Sequence, residues 1–460
     1  MNVIPNSLHG RDLQYLMHPT TNARAHERTG PLVIARGEGI YVYDDAGKEY
    51  IEGMAGLWSV ALGFSEQRLI DASHKQMQSL PYMHLFGSRG QEPSILLAEK
   101  LVQMAPEGLD RVFFTNSGSE ANDTVVKMVW FYNNAIGRPK KKKFISRIKA
   151  YHGITIASGS LTGIPANHKG FDLPLDFTRH VSTPHYWRDA HEGETEEQYS
   201  DRLAAELEEM ILAEDPDTVA AFIGEPLMGA GGVIVPPAGY WEKIQAVCRK
   251  YDILIVADEV INGFGRTGHM FACETYGIKP DMLVVSKQIT SSYLPLAAIV
   301  FTDALYQGMA DGSEALGTFG HGYTTSGHPV ATAVGLENLT IIEERDLVSN
   351  AAWMGERMRA GLARHADHPL VGEVRGEGFI AAVEFVSDKT TKAGFSTPGK
   401  VAQAVSAAAQ RHGLILRAIG ECICFCPPLI MTEEQVDELL HRFDMAMTEG
   451  LAPFLSGEVA

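Results

Sequence analysis

Long apolar runs are missing from this chain of 460 residues, and so is any excess of basic side chains. No stretch approaches the roughly 20 consecutive apolar residues that a membrane-spanning helix needs. Lys and Arg number 39 against 57 Asp and Glu, a net charge of −18. A surface of that sign repels phosphate backbones and anionic lipid, so neither nucleic acid nor membrane is expected as a partner. Cysteine is scarce, five residues without paired spacing, which points to a reduced, cytoplasmic setting. Residues 1–7 offer neither the basic nor the apolar segment of a secretion signal. Internal repeats and low-complexity linkers are also missing. What remains is a globular composition, 45% hydrophobic and 21% charged, too long for one ordinary core.

Three charged strand ends stand out against this background. The apolar run 282–285 delivers Lys287, the run 252–257 ends in Asp258, and the run 219–224 ends in Glu225. Lysine is rarely placed inside a protein, and burial lowers its pKa, leaving more free amine to attack a carbonyl. Lys287 is therefore a candidate Schiff-base lysine, against the plain alternative of a surface strand cap. The steps of 33 and 29 residues between the three match βα units. Ligands in open α/β sheets bind beyond the carboxyl ends of the strands, so two acids and an amine are expected at one site.

Ser117-Gly118-Ser119 falls between a strand and a helix, where backbone N–H groups and small residues form an anion cradle or simply a helix cap. Asn122 is placed to support that turn. The segment 263–268, Gly-Phe-Gly-Arg-Thr-Gly, matches a dinucleotide fingerprint in letters only. It does not sit at the strand-to-helix turn, and the distal acid is missing. Cys422, Cys424 and Cys426 alternate along one strand and read as small core hydrophobes rather than zinc ligands, so no metal is expected.

Strand and helix patterns alternate to about residue 300, which argues for a three-layer α/β domain with a mainly parallel sheet. The division expected is 61–325 for this large domain, and 1–60 with 326–460 for a smaller α+β domain. Helices are predicted near 10–17, 69–79, 92–104, 118–132, 329–344, 348–365 and 433–450. A hairpin is predicted around 44–47. Residues 53–59 read as a glycine-rich turn presenting Trp58, and the lysine run 140–143 as a solvated strand entrance.

In combination these segments resemble class III aminotransferases, pyridoxal-phosphate enzymes of fold type I. The likeness rests on Ser117-Gly-Ser-Glu-Ala-Asn-Asp, Tyr151-His-Gly, Glu225-Pro, Asp258-Glu-Val with Gly-Phe-Gly-Arg-Thr-Gly, and Ser286-Lys287. Gly56-Leu-Trp58, Gly320-His-Gly-Tyr-Thr324 and Leu416-Arg417 are similar to the ω-amino acid and amine:pyruvate branch. The chain departs from the family pattern at Gln288, where glycine is frequent, and at Leu296-Ala-Ala298, where a glycine pair is usual.

The resemblance implies pyridoxal 5′-phosphate as cofactor and a ping-pong transaminase acting on an ω-amino acid or primary amine with pyruvate. Lys287 and Asp258 would be catalytic, with Glu225 supporting them. Tyr151 and Val260 would pack the ring faces, and His152 would complete the turn. Ser117, Gly118 and Ser119 would hold phosphate, joined by Tyr323 and Thr324 of a second subunit in a homodimer, dimer or tetramer being open. Trp58, Phe86, Tyr151 and Ala230 would wall the substrate pocket, with Arg417 as carboxylate clamp. The competing readings are an aminomutase or racemase on the same fold, and an idle cofactor-binding module within a regulator.

Overall fold

The computed structural model describes residues 6–455. Residues 1–5, part of the stretch read above as lacking a secretion signal, lie outside it. Seven strands form the central sheet, in the spatial order Arg111–Thr115, Ala297–Phe301, Met282–Val285, Leu254–Asp258, Val219–Gly224, Lys143–Arg147 and Thr178–Val181. Only Ala297–Phe301 runs against its neighbours; the remaining pairs are parallel.

Three inner strands, 219–224, 282–285 and 297–301, are buried at every residue, because helices cover both faces of the sheet. One face packs Phe144, Ile223, Val256 and Val284 against Val125 and Val129 of helix Gly118–Ala135. The other packs Ile145, Phe222, Ile255 and Leu283 against Leu207 of helix Glu196–Ala213 and Ile244 of helix Tyr240–Lys250. Alternate residues of each strand thus serve opposite layers, giving the three-layer α/β architecture.

Two smaller sheets complete the fold. Ile34–Glu38, Tyr41–Asp44 and Glu49–Glu52 form a meander to which Leu414–Ile415 adds in parallel. The turn at its second corner is closed by the Asp44 carboxylate, which accepts from the backbone of Ala46 and Lys48. Val371–Glu377, Ile380–Phe385, Cys422–Phe425 and Arg417–Ile419 form the other, wholly antiparallel sheet. Cys422, Cys424 and Cys426 are buried beside Met54, Trp58 and Ile380, as core hydrophobes.

The lysine run departs from its expected solvation. Lys141 is 6% exposed and donates to the carbonyls of Tyr251 and Asp252, while Lys142 donates to that of Trp130. Carbonyls just past the end of helix Tyr240–Lys250 draw the Lys141 ammonium inward. No helix among the described residues is long and apolar enough to cross a membrane.

Candidate active site

The parallel strands all point their carboxyl ends at one cleft, and each delivers a different chemical group. Asp258 closes its strand almost fully buried. Its Oδ2 lies 2.8 Å from His152 Nδ1 and accepts from Asn122 Nδ2 at 2.9 Å, while Oδ1 accepts from the Val260 backbone at 3.1 Å. A carboxylate can only accept, so the imidazole proton sits on Nδ1 and the carboxylate is locked in orientation. Asn122, read as a turn support, thus acts on the acid itself and also donates to the His152 carbonyl at 2.7 Å. Thr162 Oγ1 fixes the His152 backbone N–H at 2.9 Å.

Glu225 does different work. Its two oxygens accept from the backbone of Tyr151 at 3.0 Å and of Gly229 at 2.8 Å, clipping two loops together. Burial pushes its pKa up. Tyr151 itself is half-buried, and burial raises its phenol likewise.

Lys287 opens a short 3-10 turn, Lys287–Thr290, with a left-handed φ of +45° that ordinary side chains rarely adopt. Among the described residues its amine has no hydrogen bond or ion pair. Burial lowers its pKa, against the opposing pull of Asp258 and Glu225. The turn is held from behind by the residue that follows the lysine. Gln288 Nε2 donates to the carbonyls of Ile261 at 2.9 Å and Gly263 at 2.8 Å. Arg266, fully buried, then straps the same glycine segment to the carbonyls of Phe379 and Pro427 at 2.9 and 2.7 Å. The glycine segment therefore serves as a brace between sheets.

At the amino end of helix Gly118–Ala135, Ser117 is spent as the cap, accepting from Glu120 N at 3.2 Å. A Cβ on Gly118 would sit 3.3 Å from both Val260 methyls, so the cradle tolerates only glycine comfortably. Ser119 Oγ accepts from Ile154 N at 3.1 Å, and Gly153 must lack a side chain because a Cβ would fall 2.3 Å from Ser158 Oγ. Arg417, on strand Arg417–Ile419, is half-buried without a carboxylate partner among the described residues, and its charge acts on both Tyr151 and Lys287.

The remaining expected residues are distributed differently. Trp58 is not presented to solvent but is 1% exposed, packed with Leu227, Ile261 and Cys424, its backbone at φ +65°. Ala230 lines a second cavity of about 410 Å³. Phe86, 49% exposed, lines a cavity of about 700 Å³ with Phe113, Lys127, Gly320, His321 and Gly322. Tyr323 Oη donates to the Glu120 carbonyl at 3.2 Å, and the Thr324 carbonyl accepts from Tyr82 Oη at 2.7 Å. Among the described residues, no hydrogen bond or ring contact links Phe86, Tyr323 or Thr324 to Lys287, Asp258 or Tyr151.

A fixed buried acid, an uncommitted amine, a glycine-lined helix end and an aromatic face together fit a phosphorylated pyridine aldehyde. Fold and cleft define a pyridoxal-phosphate transferase of fold type I. The chain belongs to the class III aminotransferases: the model described as Aminotransferase class-III matches residues 22–447. It transfers amino groups with pyridoxal phosphate as cofactor.

The chain is similar to an omega transaminase from Pseudomonas jessenii in complex with PMP, at 62% identity and a TM-score of 0.96, covering 97% of this chain and 98% of that one. A W58M/F86L/R417L variant of the thermostable omega transaminase PjTA-R6, engineered for asymmetric synthesis of enantiopure bulky amines, aligns at 60% identity. Its TM-score is 0.96, over 96% of this chain and 99% of that one. Gamma aminobutyrate transaminase 1, mitochondrial, of Solanum lycopersicum is 48% identical over 94% of this chain and 84% of its own length.

Proposed function

We propose that this aminotransferase moves the amino group of an ω-amino acid or primary amine to pyruvate or a related oxo acid, both half-reactions using the Lys287 cleft. The observation that carries the reading is a pair of nitrogen groups uncommitted among the described residues, the Lys287 amine and the Arg417 guanidinium, opening on one cleft above a locked Asp258.

Bound pyridoxal phosphate supplies the carbonyl that takes up the amino group, and a ring that accepts electrons. Asp258 would face the ring nitrogen and favour its protonated form, with His152 and Asn122 preventing the carboxylate from turning away. Lys287 would anchor the cofactor, and its Nζ takes the donor's proton and returns it as general base and acid. Gly118 and Ser119 would hold phosphate at the helix end, backed by Ser117, while Tyr151 and Val260 take the two ring faces. Glu225 acts through the backbone, setting where Tyr151 lies. Arg417 would grip the oxo-acid carboxylate through two parallel hydrogen bonds and leave it for neutral donors.

Trp58, Tyr151 and Ala230 would shape the pocket. The engineered relative changed at W58, F86 and R417 supports this, because this chain has Trp58, Phe86 and Arg417 at the same numbers. Phe86, Tyr323 and Thr324 would reach a neighbouring cleft across a two-fold axis, which makes the working form a homodimer or a tetramer built from two such dimers. Complete dissociation by dilution would then release cofactor, whereas cofactor absorbance unchanged in the monomer would refute the shared site. The division into domains 61–325 and 1–60 with 326–460 accompanies this reading. Five buried free thiols support a reducing compartment, read as the cytoplasm. An aminomutase or racemase draws no support from the relatives above, which are transaminases.

The deciding experiment is borohydride reduction of the holoenzyme followed by peptide mapping. A cofactor adduct on Lys287, with one alanine formed per cofactor from pyruvate after pre-loading with an amine, is the expected result. An adduct elsewhere, or none, refutes the assignment.

A further inference from the structure

Lys149 is a cation for which the site just described has no use. It is half-buried, and among the described residues its ammonium has no hydrogen bond and no ion pair. Its backbone is held at φ +66° by Lys149 N donating to the Gly163 carbonyl and Gly163 N donating to the Ala150 carbonyl, each at 2.8 Å. A strained lysine kept this way, in a loop closed on both sides, is over-determined by its surroundings.

Lys149 lines the cavity of about 410 Å³ that also holds Ala230, Gly231, Ile164, Ile419 and Gly420. Three of its walls are continuations of segments that build the Lys287 cleft. Lys149 precedes Tyr151 by two residues, and Ala230 follows Gly229, the partner of Glu225. Ile419 lies two residues beyond Arg417 on the same strand and therefore on the same face. Gly231 permits the junction, since a Cβ there would sit 2.7 Å from the Lys149 carbonyl oxygen.

The arginines and the histidine of the cavity are already engaged. Arg188 and Arg375 bind Glu384, and His185 lies 2.8 Å from Glu373. Glu421 accepts from Gly399 N at 2.8 Å through one oxygen; the other is buried without a partner among the described residues, and burial raises the pKa of this carboxyl. One free ammonium thus remains, beside the apolar surface of Ile164, Pro165 and Ile419.

The geometry points to Lys149 as a specificity residue. It is a second carboxylate handle, taking the distal carboxylate of an amino donor whose methylene chain runs past Ala230 into this cavity, beyond the reach of Arg417. This rests on the transaminase reading and adds chain length as the selected property: short acids use Arg417, and long ω-amino acids use Lys149.

The test compares two donors of equal chain length in the holoenzyme with pyruvate, 5-aminopentanoate and n-pentylamine. Lys149→Met is expected to lower the ratio of their kcat/KM values about tenfold, the worth of one charge-assisted hydrogen bond. The change should appear in the KM for the acid with its kcat retained, and Lys149→Arg should restore the ratio. An unchanged ratio, or equal losses for both donors, overturns the proposal. So does wild-type enzyme that refuses 5-aminopentanoate while exchanging alanine with pyruvate. Failure of that exchange would instead overturn the transaminase reading.

Discussion

Arg375 and Arg417 stand on two strands of the same small sheet and have opposite fates. Arg375, almost fully buried, spends every arm: Nη1 lies 2.6 Å from Glu373 and from Glu384, and Nε donates to the carbonyls of Gly232 and Val233 at 3.1 and 3.0 Å. Burial opposes ionisation of Glu384, and Arg375, His185 and Arg188 overcome it, bringing its pKa down to about 2. Arg417 has no such partner among the described residues. A buried charge is tolerated when saturated, so Arg375 belongs to the framework. A half-buried charge left open is a standing cost unless a ligand answers it.

The contrast between spent and open charges can be broken at four points. Lys287→Ala has the largest expected effect: transamination falls to background while cofactor still binds, as read by turnover and absorbance. Near wild-type turnover would remove Lys287 from its role. Arg375→Ala removes the cation shared by buried Glu384 and half-buried Glu373, leaving them Arg188 and His185, and should destabilise the fold by about 3 kcal/mol. Chemical denaturation measures that loss, and stability within error of wild type would show that the cluster is dispensable.

Arg417→Ala should leave the fold intact and raise the oxo-acid KM by about 2–5 kcal/mol in binding terms, sparing simple amines. Equal losses in both half-reactions would place Arg417 in the framework with Arg375. The smallest effect concerns Glu52, a buried acid 5% exposed, which accepts from Gly56 N and lies near the Cys426 thiol. Burial raises its pKa to about 8 from an ordinary value of 4.5. The unfolded chain loses this proton first, so the stability tied to Glu52 is full below about pH 4.5 and declines as pH rises toward 8. Glu52→Gln should therefore flatten the fall in Tm across that window relative to wild type; identical slopes would refute the shift.

Much of the cleft was legible because a strand that must be buried on both faces leaves a charged residue at its end conspicuous. Glu225, Asp258 and Lys287 follow apolar runs that have no other reason to end in charge. Arg375 was not legible. Its strand reads Val-Gly-Glu-Val-Arg-Gly-Glu, as an exposed edge would, and only the fold brings Glu384 and the Gly232 carbonyl to it. Lys141 was misread for the same reason, since its acceptors lie more than a hundred residues away. Trp58 looked displayed because glycine surrounds it, yet glycine there lets the backbone turn the indole inward at positive φ. Gln288 was noted only as a contrast with the family, and its purpose emerges from its two carbonyl partners in the fold.

The five cysteines offer a practical handle. Every one is buried, and burial raises each thiol, to about 12 for Cys248 and Cys422 and about 11 for Cys426. Electrophilic reagents need an accessible thiolate, so no native cysteine is expected to react with maleimide while the chain is folded. One cysteine introduced at an exposed position such as Trp353 would then be the sole conjugation point, allowing oriented immobilisation or single-dye labelling without first deleting any native thiol.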